Sequence, residues 1–222
     1  MARGERTLGE SNLETESLCL DFANTVDWHA SDHPEEQLNT YTDLVSWANR
    51  VGVLTDREAR NLSREAGRRP ADAAAVLEQA VALREAIYRV FSAVAGGRTS
   101  ETGDLAALNA AIPRALARLQ VIRAADGFAW GWTGDKSQLD RMLWSVVRSV
   151  TDLLTSEKLA RVGQCADDRG CGFLFLDMSR NRSRRWCDMR DCGNRAKAKR
   201  HYQRRPNIRM TKPTRSIGLN PE

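Results

Sequence analysis

RVGQCADDRGCGFLFLDMSRNRSRRWCDMRDCGNRAKAKRHYQR, residues 161–204, contains four of the five cysteines and decides how the rest of the chain is read. Cys165 and Cys171 make a C-x5-C pair, Cys187 and Cys192 a C-x4-C pair, with fifteen residues between the pairs. Two short loops that each deliver two thiolates suit one tetrahedral zinc ion, so the spacing points to a closed four-cysteine site and to Zn2+ as cofactor. A closed site leaves no position for a substrate, which favours a structural metal; oxidation of its thiolates is the redox alternative. Gly172 and Gly193 each follow the second cysteine of a pair, where a tight turn around sulfur is expected. Arg161, Arg169, Arg185 and Arg190 are placed to ease thiolate formation. A module of roughly 40 residues buries too little apolar surface to fold alone, so metal should supply much of its stability.

Within the module, Phe173 to Leu176 is a short strand candidate, followed by a polar loop carrying Arg180, Arg182, Arg184 and Arg185. Trp186, beside Cys187, is expected to pack over the metal site rather than stack on a base. From Asn194 to Arg205 good helix formers run on with almost no apolar stripe, and cations fall on most sides. Core burial does not explain such a helix; contact with phosphates does, the plain alternative being a solvated charged helix. The candidate contacts to double-stranded DNA are Arg180, Asn181, Arg182, Arg184, Arg185, Asn194, Arg195, Lys197, Lys199 and Arg200. Most would meet phosphate and one or two arginines guanine edges; Asn181 and Asn194 either read adenine or organise the local backbone.

Charge divides the chain in the same place. Of 34 Lys plus Arg and 29 Asp plus Glu, residues 161–222 hold 16 and 6, leaving 18 and 23 before them. A net charge of −5 joined to one of +10 suggests a polyanion-binding end. The expected organisation is a helical unit over 1–158, a basic zinc module over 159–205 and a mobile basic tail over 206–222. No apolar run reaches membrane length and the chain opens on polar residues, so a cytoplasmic protein without membrane contact is expected, nucleoid-associated when DNA-bound. In a reducing compartment the fifth cysteine, Cys19, reads as a buried core thiol.

The first 158 residues follow a helical period. Leu18, Cys19, Phe22, Ala23 and Val26 share one face of a first helix, with Asp21, Asn24 and Thr25 on the other. Leu44, Val45, Ala48 and Val51 mark a second helix ending at Gly52, and Thr55-Asp-Arg-Glu is a capping box that starts a third. Ala71 to Ala95 is the longest stripe, closed by Gly96-Gly97, and 102–112 a shorter helix that Pro113 is expected to end. Asp126-Gly127 suggests a small β-hairpin between Leu116–Ile122 and Phe128–Trp132, and Ser137 to Thr155 a last helix linking the two units. The expected fold is mainly α: a helical domain with one hairpin, then a treble-like or ribbon-like four-cysteine zinc module with a basic C-terminal helix.

Asp21, Asn24, Thr25, Trp28 and His29 combine polar groups with an aromatic wall, and with Trp47, Arg84, Trp130 and Trp132 they could line an effector pocket. A helix end and a helical core need the same residue types, which is the competing explanation. No Ser-His-Asp or Cys-His arrangement, glycine-rich phosphate loop or His-x-x-x-His pattern occurs, so no catalytic residues are assigned and an enzyme is not expected.

Cys165, Cys171-Gly172, Phe175 to Asp177, Ser179-Arg180-Asn181, Arg185-Trp186-Cys187 and the tetrad Cys192-Gly193-Asn194-Arg195 followed by Ala196-Lys197 together resemble the CGNR-type zinc finger, from about Arg161 to Arg204. Leu18 to Val26 resembles the opening of the helical ABATE domain that precedes that finger. The resemblance implies a bacterial stress-induced transcription regulator whose finger binds DNA and whose first domain senses a signal. A lone finger reads few base pairs, so a homodimer on a two-fold site is expected. The alternatives are RNA binding by the same module, or a protein-interaction adaptor that the metal merely holds together.

Overall fold

The computed structural model describes residues 12–125 and 127–204. Among them are seven α-helices, three two-stranded antiparallel sheets, a 3-10 helix and a π-helical turn. The expected 206–222 tail and Asp126 of the expected turn lie outside the described residues.

Helix α1 (Asn12–Ala23) lies among the other helices: Cys19, Leu20, Phe22 and Ala23 are all buried. It ends three residues before Val26, which instead opens a short strand, β1 (Val26–Asp27), paired with β2 (Glu35–Glu36). Thr25 is therefore not on an outer helix face; it is buried, its hydroxyl donating to the Phe22 carbonyl at 2.8 Å. Cys19 is the buried thiol the sequence suggests, and burial pushes its pKa up to about 12. Helices α2 (Tyr41–Arg50) and α3 (Asp56–Arg68) both start on capping boxes, Thr40 with Asp43 and Thr55 with Glu58.

Helix α4 (Pro70–Ala95) is the central beam, with Pro70 at its first turn and Ala80, Ala86, Ile87, Val90 and Phe91 buried. Helix α5 (Thr102–Leu116) passes through Pro113 instead of ending there. The ring removes one donor within the last turn, while Leu108 and Ala115, buried on the side that packs on α4 and on α6 (Arg141–Leu154), hold the helix in place. The hairpin forms as β3 (Leu119–Ala124) and β4 (Gly127–Trp132), and Gly127 takes the positive φ of +135° that the turn requires. Helix α6 begins four residues later than the expected Ser137 and buries Met142, Val146, Val150 and Leu153 against α1 and α5.

The apolar core runs on past residue 158. A 3-10 helix (Glu157–Arg161) leads into β5 (Val162–Gln164), which pairs with β6 (Leu174–Leu176). Val162 and Leu174 belong to the same buried cluster as Phe22, Ile87 and Val147. Among the described residues no helix is long and apolar enough to cross a membrane.

Candidate metal centre and nucleic-acid interface

Two loops and a helix start bring the cysteines together. The hairpin β5–β6 turns through Cys165 to Cys171, with the Cys165 amide donating to the Phe173 carbonyl at 2.8 Å. A long loop crosses from Asp177 to Trp186, and the π-helical turn Met189–Gly193 carries Cys192 to the start of α7 (Asn194–Arg204). The sulfurs of Cys165, Cys171, Cys187 and Cys192 all lie within 4.8 Å of one another, with Cys171–Cys187 and Cys187–Cys192 each at 3.6 Å. A regular tetrahedron with zinc–sulfur arms of about 2.3 Å has edges of about 3.8 Å, so the donor set matches Zn2+ in size and kind.

The thiols also compete for protons. Cys171 is brought down to about 6, first by the hydrogen bond from Cys187, whereas Cys187 is pushed far up as the donor of that bond and Cys192 is pushed up by burial. Four sulfurs this close cannot all hold negative charge without a cation among them, and a dication supplies that charge. One positive side chain assists: the Arg195 guanidinium lies 2.8 Å from the Cys192 sulfur. It also pairs with Asp167 at 2.8 Å and contacts Asp191. Asp167 titrates below the usual carboxylate range, because the desolvation imposed by its burial is outweighed by hydrogen bonds from the Arg195 side chain and the Arg169 amide. Arg195 and Asp167 thus orient the sulfur cage from outside.

Two of the arginines expected to ease thiolate formation, Arg161 and Arg169, have other jobs. Arg161 donates to the carbonyls of Asp177 and Ser179, at 3.0 and 3.4 Å, and Arg169 lies 4.9 Å over the Trp28 ring. Arg195, a candidate for DNA, does that work instead; its i, i+3 spacing from Cys192 across a helix start was the legible signal. Trp186 packs against the cysteines as expected, and so does Trp28, which reaches over from the helical unit in a left-handed backbone conformation, φ +55°. Gly172 has the expected turn conformation, φ +69°, but Gly193 does not: it sits in the π-helical turn, where a Cβ would lie 2.8 Å from the Met189 sulfur.

The candidate DNA contacts separate into engaged and free groups. Arg184 donates to the carbonyls of Trp186 and Cys187 and stacks 4.4 Å over Phe175, so it braces the loop. Lys199 pairs with Asp168, and Asn194 donates to the Arg190 carbonyl at 3.0 Å. Arg180, Asn181, Arg182, Arg185, Lys197 and Arg200 are exposed to differing degrees, and among the described residues the four arginines and the lysine of that group have no acidic partner. At 100° per residue, Arg195 and Lys199 face the first cysteine loop, while Lys197 and Arg200 point the other way. The helix is therefore not cationic on most sides: its inner cations are neutralised and one outer stripe is left.

The effector set also separates. Asp21, Asn24 and Trp47 line a cleft of about 670 Å3 between α1–α2 and β6, whose far wall is Phe173 to Leu176, Met178, Arg184 and Cys187. Thr25, Trp28 and Arg84 are elsewhere. Arg84 is a buried cation held by Glu36 at 2.6 and 2.7 Å and by Glu85 at 2.9 Å. His29 pairs with Glu85 at 3.1 Å and stacks on Tyr88 at 3.5 Å. Trp130 lies under Arg148 and Trp132 against Trp144, both on the hairpin side of the molecule. Within the cleft, Asn24 spends its amide on Leu174, accepting from its N–H at 2.8 Å and donating to its carbonyl at 2.9 Å.

The fold and the site define a mainly α protein that carries a four-cysteine, zinc-finger-like module ending in a basic helix. The family model described as "Putative stress-induced transcription regulator" (ABATE) matches residues 16–157, and the CGNR zinc finger model matches residues 161–205. The chain belongs to the ABATE family. No curated protein matches it.

Proposed function

We propose that the protein is a zinc-dependent regulator that binds double-stranded DNA through its C-terminal module, and that the helical unit over 1–158 senses a small effector. The module over 159–205 is the reader, working in the cytoplasm as a homodimer and without catalysis. The observation that carries this reading is the sorting of cations around the cysteine cage. Those on the inner face of α7 are spent on Asp167, Asp168 and Asp191, whereas Arg180, Arg182, Arg185, Lys197 and Arg200 stand without acidic partners among the described residues. Unspent cations on a metal-held scaffold suit a phosphate backbone.

The test is the salt dependence of binding to genomic DNA fragments by the zinc-loaded full chain. Each phosphate contact contributes about −0.9 to the log–log slope, so about six contacts give a slope near −5. Lys197→Ala with Arg200→Ala should reduce its magnitude by about 2, and Lys199→Ala, whose ammonium is already paired, by well under 1. A flat salt response, or a preference for single-stranded RNA, contradicts the DNA reading.

A further inference from the structure

The cleft between the helical unit and the finger has a floor and a charge that together select a ligand. Leu20, Trp47, Leu174 and Phe175 form an apolar floor, and Met178 extends it on the finger side. Asp21 stands at the rim, and its carboxylate has no hydrogen-bond or ion-pair partner among the described residues. Two cations share the wall. Arg184 is spent on the loop carbonyls and Phe175, and Arg50, exposed in the last turn of α2, has no acidic partner among the described residues. Asp21 is exposed at the rim, and partial desolvation raises its pKa above the ordinary value, with no cation opposing the shift. A volume of about 670 Å3 is the size of a small-molecule site, and junctions between units are where such sites tend to form.

We infer that this cleft binds a small organic amine with an aromatic or aliphatic body, the ammonium on Asp21 and the body on the floor of Leu20, Trp47 and Phe175. The inference rests on the sensing role proposed above and gives it a place and a ligand class. An amine seated there touches α1 and α2 on one side and β6 and Met178 on the other, so its occupancy reports directly on how the finger sits against the core.

Calorimetric titration of the zinc-loaded full chain with tryptamine, 2-phenylethylamine and the matched anion 3-phenylpropionate tests this. The amines should bind and the anion should not, and Asp21→Asn should weaken the amines at least tenfold while zinc content and melting temperature stay as in wild type. Met178→Gln, on the finger side of the floor, should weaken them while leaving Asp21 in place. Binding of the anion in preference to the amines overturns the assignment, as does the absence of amine binding or amine binding indifferent to Asp21→Asn. DNA affinity measured on the same preparation separates the two ideas. A chain that binds DNA but no amine refutes the cleft alone; one that binds amines through Asp21 but no DNA refutes the DNA reading alone.

Discussion

The cysteine module has an inner half and an outer half, and they are held by different physics. The inner half, β5–β6 with the Cys165–Cys171 loop, is fastened to the helices: Val162 and Leu174 sit in the main core, Asn24 hydrogen-bonds both backbone groups of Leu174, and Gln164 donates to the Tyr88 hydroxyl at 2.8 Å. Gly170 and Gly172 press against Ser31 and Ala30, and the Ala30 amide donates to the Gly170 carbonyl at 3.1 Å. The outer half, from Asp177 to Arg204, contributes no residue to the main core among the described residues. Its attachments are the sulfur cage with Trp186 and Trp28 packed on it, Arg184 stacked over Phe175, Arg161 donating to the carbonyls of Asp177 and Ser179, the Ala166 amide donating to the Arg185 carbonyl, and ion pairs to Asp167 and Asp168. Apolar burial persists without metal, but a sulfur cage does not. The finger is therefore divided: one part belongs to the core, and the part bearing the free cations depends on zinc.

Metal removal should have the largest effect on the two halves. Chelation should lower DNA affinity by about a hundredfold or more while the melting of the helical core changes little, because the lost order lies in the outer half. Parallel loss of helical melting would show the halves to be one unit. Next is Gly172→Ala. At φ +69° the new Cβ would sit 2.6 Å from the Tyr88 hydroxyl and 2.8 Å from the Ala30 nitrogen, so the inner half should lose about 3 kcal/mol of stability in urea melts even with zinc bound.

Asn24→Ala should cost about 2 kcal/mol, since it strips partners from the N–H and carbonyl of a buried residue, and the loss should be the same with and without zinc. A loss seen only with zinc would place Asn24 in the outer half's energetics. The smallest effect concerns Glu85. The His29 hydrogen bond, opposed by burial, lowers its pKa from 4.5 to about 2, with Arg84 assisting. A depressed carboxylate stabilises the fold fully above pH 4.5 and loses that contribution as pH falls towards 2. Wild type should therefore lose about 1 kcal/mol more than Glu85→Gln between about pH 5 and 3, a value reduced for partial exposure. Equal acid sensitivity of the two proteins would show that the His29–Glu85 pair adds nothing to stability.

Features set by local rules were legible in the sequence. The Thr55 capping box, the long stripe of α4, the Gly127 turn and the convergence of four cysteines each depend on residues near one another or on a fixed ligand geometry. What was not legible depended on contacts between distant segments. Asn24 reads as a pocket residue until Leu174, 150 residues away, is seen to take its amide. Arg84 reads the same way until β2 brings Glu36 to it. Likewise the helical period places cations around α7, but only the fold places Asp167 and Asp168 against one of its faces.

The most direct test of the divided finger is hydrogen exchange on the full chain with zinc bound and after chelation. Protection should be lost from Asp177 to Arg204 and kept in Val162–Gln164 and Leu174–Leu176. Loss of protection in both strands along with the outer half, or no loss anywhere, would contradict the division of the finger.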